Sequence, residues 1–414
     1  MGWGVNRPRK TRILLGVTGS IAAYKAAELA RYFMKRGCTV RVVMTASATK
    51  FISPLTFESI TQQPVLSSFW EETRPGVIGH IQLADWADAL VVAPASADFI
   101  AKAAHGFAES PPLAALLATK SPVVVAPAMN VNMYEHPQTQ ENIDHLKGRG
   151  VVFVEPESGD LACGWRGKGR LARPSEIYLA TKRSLSSNDL LGKRVLITTG
   201  PTREALDPVR YISNRSSGKM GLALAREAYL RGADVTLIHG PVASLASIPR
   251  SVERVPVTSA IQMREAVLTR VGLGQKRPGA DVVIMAAAVA DYRPEETSTH
   301  KIKKATGQNS IAVTPNPDIL FDLGRQRGSL SHPLLVGFAV ETGSTADLRR
   351  EAARKRESKS VDLIVGNLAE DSFDKETNQV VIVQGVGDPV ELPTARKVDI
   401  AKGIFDVIAR KLER

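Results

Sequence analysis

A chain of 414 residues is longer than one ordinary hydrophobic core organises, so two domains are expected. Its 43% hydrophobic and 23% charged content is that of a soluble globular protein, and no apolar run has the length of a membrane span. The net charge of +12 suits a nucleic-acid binder, but only 5% of residues are aromatic and no nucleic-acid-binding motif is present; phosphate-bearing small molecules fit the basic balance better, with neither nucleic acid nor membrane as partner.

Residues 1–10 read as a basic tail (Arg7, Arg9, Lys10) with no apolar stretch behind it. A signal peptide is therefore not expected, and a cytoplasmic location is. Arg12–Ser20 predicts a short apolar strand running into a small-residue turn. Ile21–Arg36 predicts an Ala-rich helix closed by Gly37. Thr39–Met44 follows as a second strand. Leu90–Ala93 and Val123–Ala126 are apolar without alternation, as expected of parallel strands covered on both faces. The pattern restarts after the polar stretch Ser184–Asn188. Arg194–Gly200 predicts a strand leading into a loop of small residues, a helix starts near Gly218, and Ala233–Ile238 and Asp281–Met285 supply further strands. The fold class is α/β: two Rossmann-like, doubly wound domains in tandem. They span 11–187 and 192–414, with 188–191 as linker.

Ligands of open α/β sheets gather beyond the carboxyl ends of strands. Gly16–Ser20 places small residues and hydroxyls at a helix N-terminus, where free N–H groups favour a phosphate. Thr45–Ala48 and Ala93–Asp98 follow their strands in the same way. Gly19, Ser20, Thr45, Ser47, Pro94 and Ser96 are thus candidates for a nucleotide-like cofactor. Neither a P-loop nor a full dinucleotide fingerprint is present. His80 stands before an amphipathic stretch leading to the strand at Leu90, where an imidazole can take or give a proton. Pro127–Tyr134 carries Asn130 at a strand end. Ser158–Gly164 carries Cys163, and Gly159 and Gly164 on either side of it predict a mobile flap that moves a thiol over a ligand. The other cysteine, Cys38, follows Arg36-Gly37 at a helix-to-strand turn and reads as structural. Two cysteines make neither a disulfide framework nor a metal site.

The Pro127–Met133 element, the His80 segment and the Ser158–Gly164 flap together resemble the flavin-dependent cysteine decarboxylases, over residues 11–182. The resemblance implies a flavodoxin-like domain, FMN as cofactor, His80 in catalysis, Asn130 gripping the substrate carboxylate and Cys163 as proton donor. Oxidising the substrate thiol to a thioaldehyde by hydride transfer to a flavin would create the electron sink that loss of carbon dioxide needs. Two departures stand out. Tyr134 replaces the usual Trp, and Gly106–Leu113 replaces the usual Asp-x-Leu-Leu-Ser/Thr-like stretch. There, Pro111-Pro112 is expected to break the start of a helix.

In the second half, Thr198–Gly221 is a long polar loop between strand and helix, with Asp207, Arg210 and Asn214 in it; such loops are usually functional. Ala286, Ala287 and Asp291 follow a buried strand, and Lys301–Lys304 comes soon after. Lys355 and Lys359 share one helix face and, taken alone, read as a solvated basic face. This half, from about Gly192 on, resembles the phosphopantothenoylcysteine synthetases, most specifically in the Thr199–Thr202 and Asn214–Gly221 segments. The resemblance implies CTP as the activating nucleotide, held by Ala286, Ala287, Asp291, Lys301, Asn316, Pro317, Asp318, Ile319, Phe338, Lys355 and Lys359. It also implies Asn214 at an acyl-cytidylate, Lys301 in catalysis, and Mg²⁺ with unidentified ligands to offset triphosphate charge. Joined in this order, the halves resemble the bifunctional family of coenzyme A biosynthesis. That family joins 4′-phosphopantothenate to cysteine and decarboxylates the product to 4′-phosphopantetheine. It implies a homo-oligomer built from decarboxylase trimers and ligase dimers. A flavin reductase fused to a nucleotide-binding regulator, and a non-catalytic flavin module, are the rival readings; the presence of both His80 and Cys163 argues against the second.

Overall fold

The apolar runs of the first half form one parallel sheet because both its faces are covered by helices. In this computed structural model the described residues are 9–70, 79–162, 164–273, 279–302, 310–368 and 375–413. They fall into two units, Met1–Ser186 and Ser187–Arg414. The first sheet comprises β1 (Arg12–Val17), β2 (Thr39–Met44), β3 (Val65–Leu66), β4 (Ala89–Ala95), β5 (Val123–Pro127) and β6 (Val152–Phe153), in the order β3-β2-β1-β4-β5-β6. Without the two-residue edge strand β3, this is the flavodoxin-like order. Either way the order reverses between β1 and β4, and that is where ligands bind. The helices are α1 (Ala23–Lys35), α2 (Pro54–Thr61), α3 (Gly79–Trp86), α4 (Ala97–Ala104), α5 (Pro111–Ala118), α6 (Val131–Glu135), α7 (Pro137–Gly148) and α8 (Pro174–Ser184). Ile13, Leu15 and Val17 of β1 pack with α1 and α8 on one face; Leu14 packs with α4 and α5 on the other. An antiparallel hairpin, β7 (Glu157–Asp160) and β8 (Arg166–Arg170), stands apart from the sheet.

The first helix begins at Ala23, two residues later than expected, and Gly37 at φ +81° follows its end. Pro111-Pro112 does not break a helix. The two prolines occupy the first two positions of α5 and are buried, because the first turn has no intrahelical partner for their missing N–H groups. Cys38 is buried, and burial pushes its thiol pKa up, as suits a structural position.

The second unit has an eight-stranded mixed sheet. Its strands are β9 (Arg194–Thr199), β12 (Asp234–His239), β13 (Glu253–Pro256), β14 (Val282–Met285), β17 (Leu334–Glu341), β18 (Leu363–Leu368), β19 (Thr377–Gln384) and β20 (Val390–Arg396). The order is β13-β12-β9-β14-β17-β18-β19-β20. The last two strands pair antiparallel, an extension not expected from the sequence. Two small hairpins, β10 (Arg203–Ala205) with β11 (Tyr211–Ser213) and β15 (Tyr292–Pro294) with β16 (Val313–Pro315), rise from loops at the sheet's carboxyl edge. The helices are α9 (Lys219–Leu230), α10 (Ala260–Val271), α11 (Ile319–Arg327), α12 (Thr345–Ser358) and α13 (Lys397–Leu412). Residues 188–191, expected as linker, are built into this unit. Leu190 is fully buried in its core, and Asp189 pairs with the buried Arg231, which also meets Glu227 and Asp406.

Both units use the same clamp at the start of the central strand. Asp88 accepts from the Arg12 backbone N–H at 2.8 Å and from its guanidinium, and Asp281 accepts from Arg194 N–H at 2.7 Å and from its guanidinium. Burial alone would raise both carboxyls, but the hydrogen bonds from the arginines outweigh it and hold both below their ordinary values.

Candidate active sites

A cavity of about 1110 Å³ opens at the carboxyl ends of β1, β2 and β4. Gly19, Ser20, Thr45, Ser47, Ser96 and Asn130 all line it. Thr18 fixes the wall: its hydroxyl donates to Pro94 O at 2.8 Å and accepts from Ser96 N–H at 2.9 Å. Pro94 is therefore behind the wall rather than in it. The loops after β1 and β2 approach so closely that a Cβ on Gly19 would lie 2.5 Å from Ser47 Cβ, and only glycine fits there. Asn130 caps α6, its Oδ1 accepting from Asn132 N–H at 2.8 Å.

The β7–β8 hairpin packs onto the Asn130 segment through glycines. A Cβ on Gly169 would meet Met129 O at 2.2 Å, and Met129 N–H donates to Gly169 O at 3.0 Å. Asp160, Leu161, Ala162, Gly169 and Arg170 thereby reach the cavity. Leu161 N–H donates to Trp165 O at 2.7 Å across the hairpin's end; Cys163 lies outside the described residues. Tyr134 is buried, and its hydroxyl donates to Glu155 Oε2 at 2.8 Å; Lys168 of β8 pairs with the same carboxylate. Burial first, then Glu155, pushes the Tyr134 phenol up. Tyr134 thus ties α6 to the hairpin, its hydroxyl donating to the carboxylate that Lys168 of β8 also holds.

His80 is in the first turn of α3 and does not line this cavity. Its ring edge meets Phe69, with centroids 5.1 Å apart. Its Nδ1 is buried, with no partner among the described residues. The cavity rim also carries a group the sequence reading missed. Lys102 pairs with Glu109 at 2.5 Å and Asp98 at 3.1 Å, and these carboxylates hold its ammonium above the ordinary value. The one available signal was the spacing of Asp98 and Lys102 on one helix face.

The cavity fits a flavin nucleotide. It exceeds the roughly 300–1,000 Å³ of ordinary ligand sites, so a cofactor and part of a substrate can share it. Its floor includes small residues before the N-terminus of α1, and the Ser110 hydroxyl oxygen in its wall is buried without a partner among the described residues.

In the second unit the candidate residues converge on the carboxyl ends of β9, β14 and β17, where the strand order reverses between β9 and β14. Ala287 N–H donates to Thr198 Oγ1 at 3.2 Å, and Ala286 precedes it. Asn214 Nδ2 donates to Val289 O at 2.8 Å. Asn316 closes the same loop: its backbone N–H donates to Asp291 O at 2.8 Å and its Nδ2 to Ala290 O at 2.9 Å. Pro317 leads to Asp318, which caps α11, and Ile319 is buried beneath. Phe338 is half-buried in β17, next to Gly337, which pairs with Met285. Lys355 and Lys359 are not a solvated face. Lys355 pairs with Glu341 at the end of β17 at 2.6 Å, and Lys359 pairs with Asp318 at 2.9 Å. Both lysines are thus held at the sheet's carboxyl edge by carboxylates that sequence spacing could not indicate.

Lys301 is exposed, and its ammonium has no bond among the described residues; Lys303 and Lys304 lie outside them. Its neighbour Ile302 is fastened at both backbone atoms. Ile302 N–H donates to Asp207 Oδ2 at 3.1 Å, and Ile302 O accepts from Arg210 at 2.8 Å. The Arg210 guanidinium, helped by three backbone N–H groups, holds the Asp207 carboxyl well below the usual carboxylate range. A depressed folded-state pKa contributes stability above the unfolded value of ~4 and loses it only as the pH falls through the folded value. This anchor should therefore survive mild acid. Removing its charge with Asp207→Asn is expected to slow the ligation that the sequence resemblance implies by roughly tenfold, with the decarboxylation it implies for the first unit unchanged. An unchanged ligation rate would show that the Lys301 segment is held by something else.

Among the described residues no group of three or more His, Cys, Asp or Glu side chains is arranged to hold a metal ion, and no helix is long and apolar enough to cross a membrane.

The family described as Flavoprotein matches residues 6–186, and the DNA/pantothenate metabolism flavoprotein C-terminal domain matches residues 190–412. The chain is similar to the coenzyme A biosynthesis bifunctional protein CoaBC of Bacillus subtilis (strain 168), 44% identical over 403 residues that cover 96% of each chain. It is also similar to the proteins of that name from Vibrio cholerae (41% over 406 residues, 97% of this chain and 98% of the relative) and Escherichia coli K12 (41% over 409 residues, 97% of each).

Proposed function

This chain belongs to the family of coenzyme A biosynthesis bifunctional proteins, and from that premise we propose how its two units divide the work. The second unit joins 4′-phosphopantothenate to cysteine with CTP, through an acyl-cytidylate. The first decarboxylates 4′-phosphopantothenoylcysteine to 4′-phosphopantetheine with FMN. The observation that carries the reading is the cavity that brings Gly19, Ser20, Thr45, Ser47 and Ser96 together with Asn130 and with Asp160–Ala162 of the β7–β8 hairpin's end. The test is to incubate the purified protein with 4′-phosphopantothenate, cysteine and CTP and follow products by mass. Formation of 4′-phosphopantetheine supports the reading, and its absence with a flavin-loaded protein overturns it.

In the first unit, Gly19 and Ser20 before α1 receive the flavin phosphate, with Thr45, Ser47 and Ser96 around it. Bound FMN supplies the hydride acceptor that makes decarboxylation feasible. The Asn130 amide holds the substrate carboxylate against the hairpin, and Cys163 delivers a proton. Cys163→Ser exchanges the thiol for a much weaker acid of similar shape. Carbon dioxide should still be released, but an unreduced enethiol product should accumulate while the flavin stays reduced. Normal 4′-phosphopantetheine at an undiminished rate would remove Cys163 from the role of donor.

In the second unit, Lys355 and Lys359, with Lys301, meet the triphosphate of CTP. Ala286, Ala287, Asp291, Asn316, Pro317, Asp318, Ile319 and Phe338 form the rest of its site. Asn214 holds the acyl-cytidylate, and Mg²⁺ enters with the triphosphate, since hard cations of this kind bind largely through substrate phosphates. The protein assembles from decarboxylase trimers and ligase dimers. His80, set away from its own chain's cavity, serves the cavity of a neighbouring copy.

A further inference from the structure

Six serine and threonine side chains line the flavin cavity; Ser47 is exposed, and the other five fall into two kinds. Thr18, Ser20, Thr45 and Ser96 engage protein partners: Thr18 bonds Pro94 and Ser96, Ser20 donates to Ala128 O at 3.3 Å, Thr45 accepts from Ala48 N–H at 3.2 Å, and Ser96 caps α4 by accepting from Phe99 N–H at 3.2 Å. Ser110 is different. It stands at the N-cap of α5 in extended backbone (φ −139°, ψ 153°), where a serine ordinarily accepts from the second or third helical N–H, yet its side chain makes no cap bond. The second helical residue is Pro112, which has no N–H to give. The hydroxyl oxygen is nevertheless buried, in the wall of the cavity, without a partner among the described residues. A buried hydroxyl left unpaired is costly, so its position is explained when a ligand completes it.

We infer that the Ser110 hydroxyl is a flavin-binding group of this chain, hydrogen-bonding a polar atom of the bound FMN. The inference rests on the reading of the cavity as an FMN site. The flavin rather than the cysteine conjugate is the partner because of what α5 packs against. The start of α5 lies on the central strand that leads into the Gly19–Ser20 loop: a Cβ on Gly16 would be 3.6 Å from Pro112 Cβ. Asn130 and the Asp160–Ala162 hairpin end belong to a different wall, built from α6 and β8. The consecutive prolines have a direct chemical consequence here. They remove two of the first three N–H donors of the helix, and the Ser110 side chain does not take the third, that of Leu113, so its hydroxyl stays able both to donate and to accept.

The test is Ser110→Ala in the full-length chain freed of flavin and titrated with FMN, following quenching of flavin fluorescence. Loss of one neutral hydrogen bond should raise the FMN dissociation constant roughly three- to tenfold over wild type. The thermal midpoint of the flavin-free protein should not change, because the side chain makes no cap bond to lose. The KM for 4′-phosphopantothenoylcysteine at saturating FMN should stay within twofold of wild type. An FMN affinity within twofold of wild type overturns the inference. So does a raised KM with unchanged FMN affinity, which would give the hydroxyl to the substrate, and so does a lowered midpoint of the flavin-free protein, which would make the role structural. Failure of the wild-type protein to bind FMN would instead overturn the reading of the cavity itself.

Discussion

Ligation by a Lys301→Gln enzyme is expected to run about 10²–10³-fold slower than wild type, the usual cost of removing one preorganised charge from a reacting centre. Activating a carboxylate with CTP brings two anions together. A cation held between them lowers the barrier only if it does not have to be ordered at the moment of reaction. The structure orders the backbone beside it: Ile302 is pinned to Asp207 and Arg210 at both its N–H and its carbonyl, and the exposed Lys301 side chain stands next to that anchor. Decarboxylation of supplied 4′-phosphopantothenoylcysteine should be unchanged. Quenching the reaction and measuring acyl-cytidylate separates activation from cysteine attack. Should Lys301→Gln ligate within a few-fold of wild type while Lys303→Gln does not, the role moves to the neighbouring lysine.

His80→Asn should abolish measurable carbon dioxide release, since a positioned acid or base contributes about 10²–10⁴-fold, and should leave CTP-dependent ligation intact. Equal loss of both activities would contradict the division of labour between the units. The position of His80 away from its own cavity adds a sharper expectation. Mixing the His80→Asn protein with an Asn130→Asp protein, after dissociation and reassembly, should restore part of the activity. A mixed oligomer can place an intact His80 from one copy at an intact Asn130 of another. No recovery, with mixed oligomers demonstrated by mass, would mean that His80 acts within its own chain or not at all.

The cavity of the first unit was legible because small polar residues directly follow apolar strands, and in a parallel sheet all such loops share one edge. Gly19, Ser20, Thr45, Ser47 and Ser96 accordingly meet in one cavity, whereas Pro94 supports it from behind through Thr18. What sequence could not give was the wall on which a side chain stands. His80 precedes a strand that feeds the cavity, yet it does not line that cavity. Lys355 and Lys359 share a helix face, but their partners Glu341 and Asp318 come from distant elements. Pro111-Pro112 was read as a break because proline stops a helix interior, while its fitness for the first turn depends on where the helix starts. The antiparallel β19 and β20 carry no signal of strand direction in their composition.

The paired clamps, Arg12 with Asp88 and Arg194 with Asp281, bear on how the chain reaches its fold. They close segments of 76 and 87 residues, and because closure entropy grows only with the logarithm of length the two costs differ by about 0.1 kcal/mol. Neither sheet has an entropic head start; synthesis provides one. At ~5–20 residues per second, Asp88 leaves the ribosome on the order of tens of seconds before Asp281 is made. Because parallel strands pair only after long closures, they fold slowly, and this interval is long enough for the first sheet to close and admit its cofactor while the central strand of the second still waits for the aspartate that will anchor it.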